Sequence, residues 1–302
     1  MIEKLKKHYN DSMIIANMPT ATDKYAWFMT ETGTFFGIEL ASVTSEEITL
    51  LSSLFTPYGK YDEDMTDTES YWYHFLFLNH GAISQEDFPF THCRLIYFHA
   101  NRPIPDKQDF REAVQALLPK ETIFLWENDS NVVLVETRAD EAIDDPDFKE
   151  VTVALTSDFY VDFHLFIGQT HTLSQDLHKV CKNEKEMFQK AMQYNKKQKV
   201  YYPHDVVPFL LLESMDSTFR AHLRDIIPLE LHQDQELIET IKVFFESDLN
   251  VSNASKRLYM HRNSLQYRIE KFIEKTGIDI KHFQGAFTTY LAILTLEHFS
   301  DS

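Results

Sequence analysis

Glycine is scarce in this chain of 302 residues, and its scarcity argues against several classes of enzyme and nucleotide-binding protein. Only seven glycines occur, and none falls into a Gly-x-Gly-x-x-Gly pattern, a phosphate-loop pattern or a Gly-x-Ser-x-Gly pattern. These motifs supply the tight backbone turns of many nucleotide sites and of the nucleophile elbow in hydrolases. We therefore predict that the protein is not an enzyme and binds no cofactor.

Cysteine is also rare, and the metal-binding residue types are poorly spaced. Cys93 and Cys181 belong to no pairing motif. Free buried thiols in a reducing cytoplasm are expected, and a single long-range disulfide stays open. The residue groups that come nearest to ligand spacing are His92/Cys93/His99 and His171/His178, and the second pair has no carboxylate at zincin positions. The sequence thus predicts no metal site.

Long apolar runs are missing as well. No stretch approaches the roughly 18 apolar residues of a membrane span, and residues 1–9 lack the apolar core of a signal peptide. Hydrophobic residues nevertheless make up 43% of the chain and aromatic residues 14%, enough for ordered cores. We expect a cytoplasmic protein without membrane contact and with two or three domains.

Basic residues are outnumbered, except in one place. The chain has 29 Lys and Arg against 47 Asp and Glu, for a net charge of −18. Residues 250–276 contain six basic residues against two acids, for a net charge of +4. Because DNA is a polyanion, a local basic island in an acidic chain predicts that only this face binds nucleic acid.

The basic island has the pattern of two short helices joined by a tight turn. Ser252 is a plausible N-cap of the first helix, and Val251, Ala254 and Leu258 fall on one face of it. A short connection at about 259–261 leads to the second helix. The spacing and charge therefore predict a helix-turn-helix, with a solvated helical hairpin as the alternative.

The second helix has a clear inner and outer side. Leu265, Ile269, Phe272 and Ile273 form a core stripe, and Gly277 suits the left-handed residue that ends a helix. At 100° per residue the other side chains face outward or lie on the flanks. Arg, Asn and Gln bind purine edges, while Lys and Arg also reach phosphates. The predicted DNA-binding residues are Ser252, Lys256, Arg257, His261, Arg262, Asn263, Ser264, Gln266, Tyr267, Arg268, Lys271 and Lys275.

The residues from His261 to Ile269 resemble a known signature. His-Arg-Asn-Ser-Leu-Gln-Tyr-Arg-Ile is similar to the His-Arg-Asn-Thr-Leu-x-Tyr-Arg-Leu/Ile of PucR/CdaR-type bacterial transcription regulators, with Ser264 in place of Thr. The flanking segments 250–259 and 275–279 also match, and the resemblance as a whole spans about seventy residues. It implies a sequence-specific DNA-binding regulator that reads double-stranded DNA with the helix starting near Arg262.

The same resemblance implies an activator of metabolic genes that responds to a small-molecule signal. Besides DNA, the partners it allows are a small-molecule effector, RNA polymerase and a second copy of the chain. Two-fold symmetric proteins read two half-sites, so a homodimer or higher homo-oligomer is expected, with part of its interface in the connector 206–233. A monomeric spacer is the alternative there, and a scaffold protein that no longer binds DNA is an alternative for the whole chain.

The first six predicted elements of residues 89–205 follow a β-α-β-β-α-β order, which predicts a ferredoxin-like antiparallel sheet. The predicted strands are 93–99, 122–126, 131–136, 161–167 and 200–202, and the predicted helices are 106–118, 146–158 and 173–196. The segment resembles the degenerate GGDEF-like domain of CdaR-type regulators. Its hairpin turn, 127–131, lacks the glycines of a diguanylate cyclase, so no cyclase activity is expected. A nucleotide-binding or nucleotide-processing protein is the alternative function, with Asp129 as a turn residue or a metal contact.

Taken together, these patterns predict that the chain has an α+β fold. It has a small α/β N-terminal region (1–88), the GGDEF-like domain (89–205), a helical connector (206–233) with one helix over 206–224, and an all-α helix-turn-helix domain (234–302). In the first region we expect a hairpin of strands 27–29 and 34–40, a helix from Thr44, and an acidic loop at 61–69. The aromatic run 71–78 is expected to form core, with a ligand pocket or a dimer contact as alternatives.

Overall fold

The computed structural model describes residues 2–16, 24–30, 34–58, 65–79, 81, 83, 88–118, 122–138 and 145–299. The predicted turn at 31–33 and residues 61–64 of the predicted acidic loop lie outside these residues. The chain forms two compact units. The first contains the residues up to 192 together with 196–203, and the second contains 193–195 together with the residues from 204 onward. The finer division at residue 88 stays a prediction.

The first unit begins with a four-stranded antiparallel sheet. Its strands are β1 (Met13–Ala16), β2 (Tyr25–Met29), β3 (Phe35–Glu39) and β4 (Thr56–Tyr58), in the order β1-β3-β2-β4. The two predicted strands are thus present as β2 and β3, whereas the edge strands β1 and β4 were not predicted. Helices α1 (Ile2–Tyr9) and α2 (Ser45–Leu54) contribute to its core, which is centred on Met13, Phe28, Phe36, Ile38 and Leu51.

Capping boxes start two helices of this region. Thr44 caps α2, since its side chain accepts a hydrogen bond from the Glu47 backbone N–H while the Glu47 carboxylate accepts one from the Thr44 backbone N–H. Thr66 and Glu69 repeat the device at α3 (Asp67–Leu78). The acidic segment therefore does not extend to Glu69 as predicted. A Thr followed three residues later by Glu is the pattern of a capping box, which starts a helix. Asp67 and Glu69, which were expected in the loop, therefore lie in the first turn of α3.

The aromatic run of α3 is buried. Trp72, Tyr73 and Phe75 are all buried, and the Phe75 ring lies 6.2 Å from the ring of His178. The α3 cap is anchored to the helix Lys107–Leu117, since Arg111 of that helix donates a 2.6 Å hydrogen bond to Glu69. These rings form core, as expected.

A five-stranded sheet organises the rest of the first unit. Its strands are β5 (His92–Ala100), β6 (Thr122–Asn128), β7 (Asn131–Arg138), β8 (Phe163–Thr172) and β9 (Val200–Tyr201), in the order β6-β7-β5-β8-β9. The first four are antiparallel, as the ferredoxin-like plan requires. The prediction of a wholly antiparallel sheet is wrong for β9, which pairs parallel to β8. A helical crossover between β8 and β9 allows this direction.

Helices cover both faces of this sheet. Alternate residues of the strands, such as Phe98 and Phe163, pack against α4 (Lys107–Leu117) and α5 (Phe148–Phe159). The other face holds Tyr97, whose ring lies 6.4 Å from that of Phe188 on α6 (Leu177–Tyr194). Strand β8 starts two residues later and runs five residues further than predicted, because the pairing with β5 continues to Thr172.

A buried carboxylate joins α6 to β8. Glu184 is 5% exposed and accepts hydrogen bonds from the Gln169 backbone N–H at 3.0 Å and from the Tyr97 hydroxyl at 3.2 Å. His171 Nε2 lies 3.2 Å from Glu184 Oε1, the oxygen that also accepts the Gln169 hydrogen bond, while the Tyr97 hydroxyl donates to Oε2. A buried carboxylate needs such partners to offset its desolvation. The Glu184 side chain also fills the space beside Gly168, where a Cβ would lie 2.4 Å from Oε2.

The second unit is all-α. Its helices are α7 (Pro203–Ser214), α8 (Ser217–Asp225), α9 (Leu229–His232), α10 (Gln235–Phe245), α11 (Val251–Arg257), α12 (Arg262–Thr276) and α13 (Phe283–His298). The single helix predicted over 206–224 is therefore wrong. It breaks because the Asp216 carboxylate accepts a hydrogen bond from the Phe219 backbone N–H and starts α8 as a new helix. None of the described helices is both long and apolar enough to cross a membrane.

Candidate nucleic-acid interface

Helix α11 begins one residue earlier than its predicted cap. The Asn250 side chain accepts hydrogen bonds from the backbone N–H groups of Ser252 and Asn253, at 2.9 and 3.1 Å. The prediction that Ser252 caps this helix is therefore wrong, and Ser252 is an exposed residue of its first turn. The difference arises upstream: Asp248 and Leu249 both have left-handed backbone angles, with φ of 56° and 58°, and this tight turn places Asn250 at the cap.

The connection between α11 and α12 is the predicted tight turn. Its central residue, Tyr259, has a φ of 49°, and its side chain is 97% exposed. The turn is closed by a hydrogen bond from the Met260 backbone N–H to the Ser255 carbonyl oxygen at 3.0 Å. A left-handed tyrosine with a fully exposed ring is uncommon. Tyr259 was not among the predicted site residues, since its side chain direction depends on this backbone angle.

Helix α12 begins at Arg262, as predicted. His261 is its N-cap, and Nδ1 of the imidazole accepts a hydrogen bond from the Asn263 backbone N–H at 3.2 Å. Gly277 ends the helix with a φ of 73°. The core stripe is confirmed, because Leu265, Ile269 and Phe272 are fully buried and Ile273 packs at the edge of the same core. These contacts hold the other side of α12 outward.

The outward side of α12 presents the predicted reading residues. Arg262, Asn263, Ser264, Gln266 and Tyr267 are all exposed. The first three lie in the first turn of the helix, where recognition helices contact base edges. One of these side chains has a partner on its own helix: Gln266 donates a 3.4 Å hydrogen bond to Glu270.

Half of the predicted basic residues are already paired with acids inside this unit. Arg257 contacts Glu246 at 2.8 Å, Arg268 contacts Glu236 at 2.5 Å and Lys275 contacts Glu230 at 3.2 Å. Within the part of the chain that the structure describes, no acid pairs with Lys256, Arg262 or Lys271. The charge available to a DNA backbone is therefore smaller than the count of basic residues indicates, and the phosphate role of the paired residues stays a prediction.

A groove runs between the start of α10 and the outer side of α12. Its volume is about 470 Å³. It is lined by several of the predicted DNA-binding side chains and by two acids from the start of the first helix of the domain: Asp234, Glu236, Leu237, Asn263, Ser264, Tyr267, Arg268 and Lys271. The groove therefore combines hydrogen-bonding groups, two cations and two carboxylates on the face that the signature assigns to DNA.

The hairpin turn of the five-stranded sheet is built as a structural turn. Asn128 Oδ1 accepts a hydrogen bond from the Ser130 backbone N–H at 2.9 Å. Asp129 forms a 3.0 Å ion pair with Lys107, whose ammonium group also lies over the Trp126 ring. Among the described residues, no group of three His, Cys, Asp or Glu side chains is arranged to hold a metal ion.

Comparison with known proteins agrees with this geometry. The family model of the PucR C-terminal helix-turn-helix domain matches residues 237–295, which contain α11 and α12. The protein YxkF of Bacillus subtilis is 30% identical over 268 residues, covering 87% of this chain and 88% of YxkF. The chain belongs to the PucR family of transcription regulators.

Two named regulators match less than a third of this PucR-family chain. The purine catabolism regulatory protein of Bacillus subtilis is 32% identical over 97 residues, which are 31% of this chain and 18% of that protein. The carbohydrate diacid regulator of Escherichia coli is 28% identical over 96 residues, which are 31% of this chain and 25% of that protein. The likeness therefore covers a quarter or less of each of those regulators and not their whole length.

Proposed function

We propose that this PucR-family protein is a cytoplasmic regulator that recognises a specific double-stranded DNA sequence with α12. The observation that carries the proposal is the outward face of that helix. Its first turn exposes Arg262, Asn263 and Ser264 while the opposite side is fully buried. This geometry suits insertion of the helix into the major groove, where Arg and Asn each make paired hydrogen bonds to a purine edge.

The phosphate contacts are made by the basic side chains that form no ion pair with an acid among the described residues. Lys256 lies on α11 and Lys271 lies two turns along α12, so the two flank the reading residues. Such contacts fix the position of the protein on the duplex without reading its sequence. Ser252, exposed in the first turn of α11, and the outer ring nitrogen of His261 are further hydrogen-bonding groups on this side.

A homodimer is the form in which we expect the protein to act, with contacts made by α7 and α8. Val207 and Leu211 occupy successive turns on the exposed side of α7, and Phe219 of α8 is also exposed. Exposed apolar side chains on neighbouring helices support burial against a second copy. Light scattering tests this: a dimer that Leu211→Asp converts to monomer supports it, and a wild-type monomer at micromolar concentration contradicts it.

The first unit then serves as the regulatory part, which responds to a small-molecule signal. Its sheet follows the ferredoxin-like plan, and its hairpin turn holds Asp129 against Lys107, which favours a turn role for this aspartate. We accordingly propose regulation, and neither catalysis nor nucleotide turnover. Activation of metabolic genes, through contact with RNA polymerase, is the mode that the family resemblance favours.

Selection of DNA from a random library tests the proposal without knowledge of the operator. Purified protein is incubated with random duplexes, and the bound fraction is amplified and sequenced over several rounds. The proposal predicts enrichment of one motif, present twice as an inverted repeat with centres about 10 base pairs, or a multiple of that, apart. Recovery of no motif by folded protein, with effector candidates present and absent, contradicts it.

A further inference from the structure

The pair of Glu236 and Arg268 lies within the proposed DNA-binding face. Arg268 donates one hydrogen bond to the Glu236 carboxylate at 2.5 Å and another to the Thr240 hydroxyl at 3.0 Å. Thr240 is buried and donates in turn to the Glu236 carbonyl oxygen at 2.7 Å. The guanidinium is thus held at both ends by α10, which fixes its position beside the recognition helix.

Glu236 itself is open to solvent. Its side chain is 76% exposed, while that of Arg268 is 29% exposed. Both line the groove that also contains Asn263, Tyr267 and Lys271. A duplex bound to the outer face of α12 therefore brings its phosphates to a surface where the charge of Arg268 is already neutralised.

We propose that Glu236 is a positioning residue that limits the affinity of the protein for DNA of any sequence. It holds Arg268 in place and cancels its charge, so that the pair adds no net attraction for phosphates. The inference rests on the proposed function and extends it to a residue that carries no base contact. If the pair adds no attraction for the DNA backbone, base contacts and dimerisation must supply more of the binding affinity.

Counterion release gives the size of the effect. Each added phosphate contact increases the slope of log K against log salt by about 0.9 and strengthens binding roughly five- to tenfold near 0.1 M salt. Glu236→Gln keeps an oxygen that accepts the Arg268 hydrogen bond but removes the negative charge. We expect this variant to bind a labelled scrambled duplex about five- to tenfold more tightly than the wild type, with a steeper salt slope.

Two further variants separate charge from structure. Arg268→Ala leaves the Glu236 charge uncompensated and is expected to weaken binding. The double variant Glu236→Gln/Arg268→Ala lacks both charges and is expected to match the wild type. Glu230→Gln is the matched control, because Glu230 also pairs with a cation of α12, Lys275, but is not part of the groove; its effect should be smaller than that of Glu236→Gln.

The test uses full-length protein, fluorescence anisotropy and a series of salt concentrations, with thermal unfolding as a check on folding. The proposal is overturned if folded Glu236→Gln binds the scrambled duplex with the wild-type affinity and salt slope. Failure of the wild type to bind any duplex at low salt is a different result, since it overturns the proposed function and this inference together. A purely structural role for the pair would change the unfolding temperature but not the salt slope.

Discussion

The imidazole of His261 caps the recognition helix by accepting a hydrogen bond from the Asn263 backbone N–H, with Nδ1 3.2 Å from that nitrogen. Nδ1 must be unprotonated to accept this bond, so in the neutral ring the proton is on Nε2. His261, the first residue of the family signature, therefore has two roles: it caps the recognition helix, and it is expected to contact DNA. The two tasks use different nitrogens of one ring.

Substitution of His261 separates these tasks. His261→Ala removes the cap and should lower the free energy of unfolding by about 1 kcal/mol, as loss of an N-cap does in other helices. His261→Asn supplies a new capping oxygen and should retain most of the stability. Chemical denaturation of the two variants provides the measurement. Equal stability of His261→Ala and the wild type would show that the cap contributes nothing.

Two lysines of α12 provide a matched comparison of free and paired charge. Lys271 has no acidic partner among the described residues, whereas Lys275, one turn later, contacts Glu230 at 3.2 Å. Lys271→Ala should weaken binding to all sequences alike and reduce the salt slope by about one. Lys275→Ala should change both quantities much less. Salt titrations of DNA binding for the two variants decide this, and identical slopes for both would refute the distinction.

The contact between Gly168 and Glu184 predicts a steric cost in the first unit. A Cβ on residue 168 would lie 2.4 Å from Glu184 Oε2, and three hydrogen-bonding partners restrain that carboxylate. Gly168→Ala should therefore destabilise the protein by about 1–3 kcal/mol, as overpacking of a core does. With Glu184→Ala added, the total loss should be less than the sum of the single losses. Strict additivity in thermal unfolding would argue against the clash.

The two cysteines should be unreactive in the folded protein. Burial raises the pKa of the Cys93 thiol and that of the Cys181 thiol to about 12 each. Because the thiolate is the nucleophile, only about one thiol in ten thousand is reactive at pH 8. We expect iodoacetamide to modify neither cysteine of the native protein within the time that it modifies both in urea. Rapid native modification, measured by mass spectrometry, would contradict their burial.

The pattern of the sequence was sufficient where residue type and spacing act locally. The stripe from Leu265 to Phe272 and the glycine at 277 determine α12 with little help from the rest of the chain, and both agree with the structure. The Thr44 cap was also readable from its own neighbours. The Asn250 cap was not, because Asn250 and Ser252 are both good capping residues and the left-handed turn at 248–249 decides between them.

Contacts between residues that are far apart in the sequence could not be predicted from it. Glu236 and Arg268 are 32 residues apart, and their contact depends on how α10 packs against α12. The pairing of Arg257, Arg268 and Lys275 with acids could not be counted from composition, which gave only a net charge for the segment. The parallel direction of β9 likewise depends on the path of α6. The roles of the exposed residues on α12 stay predictions until DNA binding is measured.

Fluorescence anisotropy of wild type and Arg262→Ala tests the central claim most directly. Each protein is titrated into the labelled duplex obtained by selection and into a scrambled duplex, at one fixed salt concentration. The account predicts that wild type prefers the selected duplex, and that Arg262→Ala loses about 1–3 kcal/mol on it with little change on the scrambled one. Unchanged affinity of Arg262→Ala for the selected duplex would show that the first turn of α12 does not read the DNA.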